Sequence, residues 1–501
     1  MRPYKNYVNL FYFVGLYITI AIDFLFVIFF PNTLHWFLIP LSICGLLLFP
    51  DVIKWANGIY DTFDPRALIS LLGIYFFFLS PIIAIALNLE FLEPPPSVSP
   101  ADWLPWYGFM GILNVIGILS YKFGLNIIMR RKDRKYLYVF DYAKFKVLGS
   151  FFIIVGLICW VFYLKKFGGF FGIISTMVET LNKYLVMEAV AGTALYQQFF
   201  SSIPLLFNAV IIYKIWKSQK TISFLHMLAV LFFMLVVTII FDPTLFFGRR
   251  SSLLMPLSIV LITMHLTVKK IRKRHFLLFI LLFVLLLYIG SFYKEFGPET
   301  FSILANSSGK NWSYYMASSK RGALTLFFTT FTRAPLQAGM LYRFIDFPGQ
   351  YDFQCGKIYF DAIANLIPRQ FWHSKPLFPL ITIAGTDLFF GKGGFSADEF
   401  RIIPATWGIA GEAMLNFHIW GVPLAYFIFG LIIGRVSKMM SCIPPMDSRR
   451  LILPTLVPYL VLLLAADVNT IIMHFFQTGV ILFIIIVLFS SRKKIITETP
   501  L

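Results

Sequence analysis

Apolar residues fill the chain in long runs that short polar segments separate. Twelve runs are of spanning or near-spanning length. They cover residues 9–30, 34–50, 67–89, 103–129, 147–164, 199–216, 221–247, 251–268, 276–291, 405–434, 451–468 and 471–490. A helix needs about 20 predominantly apolar residues to cross a bilayer, so the pattern predicts an all-α polytopic membrane protein with about 12 transmembrane helices. The composition agrees, because only 13% of the residues are charged, too few for the surface of a soluble domain.

The pattern is interrupted at length over residues 292–404. We predict that this segment is a large loop on the outer face of the membrane, between the ninth and tenth helices. Nine helices then lie in residues 1–291, and three lie in residues 405–501. The loop is rich in apolar and aromatic residues, so we expect it to pack back on the membrane face rather than form a separate soluble domain.

Local patterns predict further features of the outer segments. Residues 177–190 are typical of a helix that lies at the membrane interface. The stretch from Lys320 to Phe344 predicts an amphipathic helical region, broken near Pro335. The run Gly391-Lys-Gly-Gly394 is typical of a flexible hinge.

Basic residues set the predicted orientation, because cytoplasmic loops carry an excess of Lys and Arg. Clusters at residues 130–135, 269–274 and 492–494 all fall on one side of the predicted helices. Both termini are therefore predicted to be cytoplasmic, in a multi-pass protein of the cytoplasmic (inner) membrane. On the opposite side, residues 292–404 carry eleven Lys or Arg against eight Asp or Glu. Such a cation-rich loop predicts an anionic substrate presented at the membrane.

The sequence excludes several kinds of chemistry. The net charge of +19 comes from short clusters between apolar runs, so it does not indicate nucleic-acid binding. The cysteines, Cys44, Cys159, Cys355 and Cys442, lie too far apart for a disulfide framework or a zinc motif. The chain contains no nucleotide-binding glycine loop and no acid or histidine cluster with metal-ligand spacing. We therefore expect neither a metal nor another cofactor.

The least ordinary pattern in the loop is Ile367-Pro-Arg-Gln-Phe-Trp-His-Ser-Lys-Pro376. Its two prolines restrict the backbone, which predicts a preset arrangement of Arg369 and Lys375 that suits an anion. His373 lies between them and is a candidate base. The alternative is a hydrogen-bonded structural histidine.

Further arginines on the predicted outer side are candidates for binding phosphate oxygens, because a guanidinium matches their geometry. Arg249 and Arg250 follow a predicted helix at its outer mouth; the alternative is a pair of anchors that interact with Asp242. Arg321 and Arg333 lie in an aromatic-rich stretch, where the alternative is an interfacial helix on lipid headgroups.

The tenth predicted helix contains polar groups that are costly to place in lipid. Glu412 and Asn416 are four residues apart and share a helix face, and His418 follows. An ionisable group in a span is a functional-site hypothesis, and pairing with a neighbouring arginine is the structural alternative. Glu412 is our first choice for a general base.

Weaker candidates of the same kind lie between the last two runs, at Asp467, Asn469 and His474. Asp23, in the first run, is predicted to be a paired core group.

Three motifs together resemble those of the Wzy-type O-antigen polymerases, also called oligosaccharide repeat-unit polymerases. They are Phe247-Gly-Arg-Arg250, the loop run from Ile367 to Pro376, and Gly411-Glu-Ala-Met-Leu-Asn-Phe-His-Ile-Trp-Gly421. The similarity covers roughly residues 240–435 by motif and the whole chain by topology.

The resemblance implies a glycosyltransferase that polymerises lipid-linked oligosaccharide repeat units at the outer face of the cytoplasmic membrane. A growing glycan on undecaprenyl diphosphate would be transferred as a block to a newly flipped repeat unit, yielding O-antigen, capsule or exopolysaccharide. Neither a metal nor a nucleotide sugar would take part. The implied partners are the undecaprenyl-diphosphate-linked oligosaccharide, membrane lipid, a flippase and a chain-length regulator.

The resemblance and the charge pattern together suggest a role for each candidate residue. Glu412 or His373 would take the proton of the acceptor hydroxyl, and Asn416 and His418 would bind the acceptor. Seven basic residues would bind the diphosphate: Arg249, Arg250, Arg321, Arg333, Arg369, Lys375 and Arg401.

Other functions share parts of this pattern. An O-antigen ligase would have similar spans and a similar loop, and would differ in its acceptor. A flippase or transporter of polysaccharide or lipid-linked oligosaccharide is the non-enzyme alternative, although its charges should line a central cavity. A lipid-phosphate-dependent transferase of the other membrane class usually carries an acidic residue in the first outer loop, and that loop is only Pro31-Asn-Thr33.

Overall fold

The computed structural model describes residues 5–88, 100–131, 136–173, 194–218, 223–242, 250–296, 333–368, 371–376, 378–394, 406–444 and 447–494. Within these ranges the chain is helical apart from one pair of short strands, which confirms the all-α class. Eight helical segments of the described chain are long and apolar enough to cross a membrane. They are Asn9–Phe29, Leu38–Ala56, Pro65–Ala86, Leu104–Arg130, Tyr142–Lys166, Tyr196–Ser218, Gly408–Cys442 and Val468–Leu488.

These helices are compatible with a multi-pass membrane protein, and the count of twelve spans stays a prediction. The predicted spans 221–247 and 251–268 correspond to shorter apolar helices in the described part of the chain. Among the shorter apolar helices are Leu225–Phe241 and Leu254–Thr267.

The helices before the predicted large loop begin with a pair that a 3₁₀ turn at Pro31–Thr33 connects. They are α1 (Lys5–Phe29), α2 (Leu38–Ala56), α3 (Pro65–Ile74), α4 (Ser80–Ala86), α5 (Leu104–Arg130), α6 (Tyr142–Lys166), α7 (Ala194–Phe200), α8 (Ile203–Ser218), α9 (Phe224–Phe241), α10 (Arg250–Thr267) and α11 (Lys273–Phe296). A π-helical turn, Tyr75–Leu79, joins α3 to α4, and strand β1 (Tyr136–Phe140) lies between α5 and α6.

The helices from residue 333 onward include three short ones and a second π-helical turn, Phe475–Gly479. They are α12 (Ala334–Asp346), α13 (Lys357–Ala364), α14 (Leu380–Phe390), α15 (Gly408–Phe417), α16 (Gly421–Cys442), α17 (Arg449–Leu462), α18 (Val468–His474) and α19 (Val480–Leu488). A 3₁₀ turn, His418–Trp420, joins α15 to α16, and strand β2 (Ser490–Lys494) follows α19.

Local sequence explains where α3 begins. Asp64 is its N-cap, and the side chain accepts a hydrogen bond from the Arg66 amide over 3.0 Å. Pro65 takes the first helical position, where a missing N–H removes no helix bond. The Arg66 guanidinium also donates to Asp64 Oδ2 over 2.6 Å, so the cap carries an ion pair of its own.

Helices α5 and α16 pack at very short range along their lengths. A Cβ atom at Gly124 would lie 2.4 Å from the carbonyl oxygen of Phe427, and one at Gly430 would lie 2.1 Å from that of Tyr121. Only glycine allows such an approach of two backbones, as in other membrane helix pairs. This pair holds α15, which leads directly into α16, in a fixed place.

The helices of the predicted large loop pack against the apolar bundle. Helix α12 contacts α4 and α5, α13 contacts α18, and α14 contacts α13 and α15. We call this end of the bundle, where α15 and α18 begin, the site end. The predicted break near Pro335 is the start of α12, since Pro335 lies in its first turn.

The opposite end, which we call the strand end, carries β1 and β2 as an antiparallel pair in which Tyr136 faces Lys494 and Phe140 faces Ser490. The Tyr138 amide also donates to Asp447 Oδ2 over 3.1 Å, just before α17. Three segments far apart in sequence therefore meet at one end of the helices.

The carboxylate of Asp61, in the turn after α2, forms hydrogen bonds with residues at the end of α10 and just beyond it. His265 Nδ1 accepts a hydrogen bond from the Ile271 amide over 2.9 Å, so the ring proton lies on Nε2, which donates to Asp61 Oδ1. Lys270 Nζ donates to the other Asp61 oxygen over 3.1 Å. Burial alone would raise the pKa of the Asp61 carboxyl, but these two partners hold it well below its usual range.

Candidate functional site

The first residue of α15 fixes how this helix meets α17. Gly408 has a φ of +65°, a left-handed conformation that favours glycine. A Cβ atom there would lie 2.8 Å from the carbonyl oxygen of Leu464, just beyond the end of α17. Trp407, immediately before it, is fully buried and packs over Gly385 of α14. The start of α15 is therefore locked between α14 and the end of α17.

Glu412 lies one turn into α15 and is fully buried. Its Oε2 accepts a hydrogen bond from the backbone N–H of Val468 over 2.7 Å. Its Oε1 is also buried and has no hydrogen-bond partner in the part of the chain that the structure describes. A buried polar oxygen of this kind calls for an explanation, and acceptance of a proton or of a substrate hydroxyl supplies one.

A second carboxylate lies beside Glu412. Asp467 is the N-cap of α18, where Oδ1 accepts from the Thr470 amide over 2.7 Å. It is only 4% exposed, and its charge acts on Glu412. Arg333 lies close enough for its positive charge to act on Asp467, while its Nε donates to the carbonyl of Ala465 over 3.2 Å. The site therefore combines two buried acids with a guanidinium.

Two tyrosines complete this group. Tyr75 opens the π-helical turn between α3 and α4 and lies within electrostatic reach of Arg333. Tyr359 is on α13, where burial and the nearby Glu412 carboxylate raise its pKa. Single π-helical turns within helices often occur at functional sites. We define the acid site as Tyr75, Arg333, Tyr359, Glu412 and Asp467.

A polar bridge ties α13 to the first turn of α18, next to the acid site. Asn365 Nδ2 donates to Asp361 Oδ2 over 2.7 Å and to Asn469 Oδ1 over 3.2 Å. Lys375 Nζ donates to the carbonyls of Asn365 and Ile367 over 2.6 and 3.0 Å. The ammonium of Lys375, which we predicted to bind diphosphate, therefore holds the loop together in this structure.

The residues predicted to bind the acceptor have contacts within the protein. Asn416 is fully buried; its Nδ2 donates to the carbonyl of Glu412 and its Oδ1 accepts from the Gly356 amide, both over 3.0 Å. His418 has a φ of +62° and packs against the rings of Phe344 and Phe353. Both residues thus shape the end of α15 and the turn before α13.

Two further predicted residues, His373 and Arg250, lie on other elements. His373 is exposed on a turn and forms no hydrogen bond in the described part of the chain. Arg250 is the first residue of α10. Arg249, Arg321, Arg369, Arg401 and the predicted interfacial helix at 177–190 lie outside the described residues.

Sequence reasoning missed several members of this region. Asp361 and Asn365 are four residues apart, so they share a helix face, and that spacing was a signal in the sequence. Tyr75 and Tyr359 gave none, because tyrosines are common throughout this chain. Asp467 and Asn469, predicted as weaker candidates, lie in the acid site and in the polar bridge.

Fold and site together define a class: an all-α chain with several helices suited to a membrane, and a buried acid–base group at one end of them. Groups of three or more His, Cys, Asp or Glu that could hold a metal ion do not occur among the described residues. No family model, curated protein or solved structure matches the chain. The acid site itself therefore carries the functional argument.

Proposed function

We propose that the chain is a glycosyltransferase that polymerises undecaprenyl-diphosphate-linked oligosaccharide repeat units into a surface polysaccharide. The observation that carries the proposal is Glu412, a buried carboxylate with one oxygen held by an amide, set beside Asp467 and the guanidinium of Arg333. One of the motifs that resemble those of the Wzy-type polymerases, Gly411 to Gly421, contains Glu412. The protein would work at the outer face of the cytoplasmic membrane.

In the proposed reaction, an acceptor hydroxyl attacks the anomeric carbon of the donor glycan. A new carbon–oxygen bond forms while the bond from the anomeric carbon to the diphosphate breaks. The hydroxyl proton passes to Glu412, and undecaprenyl diphosphate leaves with the bonding electron pair. A general base contributes typically 10²–10⁴-fold, roughly, to such a step.

Cations stabilise the charge that develops on the leaving diphosphate. Arg333 is a described guanidinium beside the acid pair, because its charge acts on Asp467. Arg369 and Arg401 remain proposed partners in this role. Glu412, with Asp467 beside it, would take up a proton during the reaction and release it afterwards.

The proposed orientation has one structural support. It requires residues 136–140 and 490–494 on the same side of the membrane, and these two segments pair as β1 and β2. The acid site lies at the opposite end of the helices, where α12, α13 and α14 pack on the bundle. That end would face outward, because a flippase delivers the lipid-linked substrate to the outer face of the membrane.

The test is a gel of surface polysaccharide from a deletion strain, complemented with wild type, Arg369→Ala or Glu412→Ala at matched abundance by immunoblot. We expect deletion to collapse the ladder to a single repeat, and both variants to fail to restore it. A ladder that survives deletion would overturn the polymerase. Long unattached lipid-linked chains would indicate a ligase, and repeat units trapped at the inner face would indicate a flippase.

A further inference from the structure

Helix α13 presents an apolar face that no described part of the chain covers. Phe360 and Ile363 are 75% and 59% exposed, and the turns that follow add Ile367 at 46% and Phe371 at 76%. Phe360 and Ile363 are three residues apart and share one face of α13, and we call the four exposed side chains the apolar stripe. A water-facing loop rarely exposes so many large apolar side chains together, and such a patch marks an interaction surface.

The opposite face of α13 is packed against the bundle. Ile358 and Ala362 are fully buried, and α13 contacts α14, α15 and α18. Asn365 and Asn469 join the end of α13 to the second residue of α18. The apolar stripe is therefore held in a defined place by contacts on its other side, and it points away from the protein.

The depth of α13 along the bundle identifies what covers the stripe. Its partner α18, Val468–His474, is the first part of the candidate span Val468–Leu488. At 1.5 Å per residue, α18 covers about 10 Å of that span, while the hydrocarbon core of a bilayer is roughly 30 Å thick. A helix packed beside α18 thus lies next to the outer third of a membrane-spanning segment rather than in bulk water.

We infer that α13 and the turn at 365–368 form an in-plane element inserted into the outer leaflet, with Phe360, Ile363, Ile367 and Phe371 in contact with phospholipid acyl chains. Exposed Lys357, at the start of α13, extends its ammonium to the headgroups, as lysines do at interfaces. This inference is independent of the proposed glycosyl transfer, because it depends only on depth and exposure. It places α13, which carries Tyr359 of the acid site, at the edge of the lipid.

Spin labels at single cysteines test the inference in phospholipid vesicles. The four natural cysteines are replaced by alanine, and labels are placed by Phe360→Cys and Phe371→Cys. Lys392→Cys is the aqueous control, since Lys392 forms an exposed ion pair with Asp352. Ile154→Cys is the lipid control, since it is 57% exposed midway along α6.

We expect labels at 360 and 371 to collide with oxygen several-fold more often, relative to a water-soluble nickel complex, than the label at 392. Their values should approach the value at 154. Equal values at 360, 371 and 392 would overturn the inference. Labels at 360 and 371 that both reagents fail to reach would also overturn it, because a second copy of the chain would then cover the stripe.

A second measurement leaves the natural cysteines in place. Benzoylphenylalanine at positions 360 and 371 is close in shape to the native phenylalanine, and illumination crosslinks it to whatever lies against it. The same residue at position 392 is the control. In vesicles of a single phospholipid, we expect the mass of one phospholipid to be added at 360 and 371 and not at 392. Protein–protein crosslinks alone, without lipid adducts, would refute lipid contact.

Discussion

The backbone N–H of Val468 donates to Glu412 Oε2 over 2.7 Å, so the first turn of α18 orients a buried carboxylate on α15. Positive charge at the N-terminal end of a helix favours an anion there. The other oxygen, Oε1, is buried and has no described hydrogen-bond partner. One oxygen of this carboxylate is thus fixed for position, and the other is the candidate for chemistry.

Glu412→Gln should abolish activity without unfolding the chain. The amide oxygen of glutamine still accepts from Val468, but it cannot take up a proton. In vesicles supplied with lipid-linked repeat units, we expect the chain-extension rate to fall by about 100-fold or more. Asp23→Asn is the matched control, because Asp23 is also a carboxylate within a candidate span and accepts from Ser42 over 2.6 Å. Equal loss in both variants would show a general effect on folding.

The reaction rate should depend on the shape of the cation at position 333. Arg333→Gln removes the charge beside Asp467, and we expect a fall on the order of 100-fold in rate, as for loss of one group that stabilises developing charge. Arg333→Lys keeps the charge but not the planar fork, so we expect partial activity. Measured rates that rank wild type, lysine and glutamine in that order support the role. Full activity in the glutamine variant would remove Arg333 from it.

Gly408→Ala should destabilise the start of α15. Alanine at a φ of +65° is strained, and its Cβ would lie 2.8 Å from the Leu464 carbonyl, so we expect a loss of about 1–3 kcal/mol. Gly149→Ala is the control, because its nearest neighbour would be 3.8 Å away in mid-helix and alanine favours a helix by about 1 kcal/mol. Thermal unfolding in detergent should move the two midpoints in opposite directions.

Asp61→Asn should lower stability at neutral pH and not in acid. A carboxyl whose folded pKa is depressed stabilises the fold above its unfolded pKa of about 3.9, and that contribution is lost as pH falls through the folded pKa. The partners that depress it are His265 and Lys270. The difference in unfolding midpoint from wild type should stay constant between about pH 7 and pH 5 and shrink below about pH 4.

Exposed Asp346, at the end of α12, is the control for that experiment. Its side chain forms no hydrogen bond or ion pair in the described part of the chain. Asp346→Asn should change stability by less than about 0.5 kcal/mol. A pH-independent difference for Asp61→Asn would contradict a role for the ionised carboxylate.

The polar bridge should behave as one unit. Asn365→Ala and Asn469→Ala each remove one side of the 3.2 Å hydrogen bond, and each should cost about 1 kcal/mol of stability. The double variant should cost clearly less than the two single costs added together, because the shared bond is lost only once. Strict additivity, measured by unfolding in detergent, would show that the bond contributes nothing.

Hydropathy predicted that helices exist but misplaced some of their ends. The second run was predicted over 34–50, whereas α2 extends through Asp51 and Lys54 to Ala56. Those charges do not end the helix, because Asp51 accepts from Lys122 of α5 over 2.6 Å and from Tyr60 over 3.1 Å. Pairing across helices is invisible to a count of apolar residues along the sequence.

The sequence predicted those site residues that are energetically costly to place in an apolar segment. A carboxylate in the apolar sequence around Glu412 is expensive, and this singled it out. Val468, Arg333 and Tyr359 are 50 or more residues away from Glu412 in sequence, so local patterns could not show that they lie near it. Lys375 binds the carbonyls of its own loop, a contact that the sequence did not indicate, and its role in binding diphosphate stays a prediction.

The pairing of β1 with β2 also sets an order of events during synthesis. About 350 residues separate the two strands, and at 5–20 residues per second the ribosome needs roughly 20–70 s to make them. Until then, the strand edge of β1 has no partner, and an open edge invites pairing with other chains. The strand end of the bundle therefore forms last. A nascent chain that stops before residue 490 would lack β2, and the edge of β1 would stay without its partner strand.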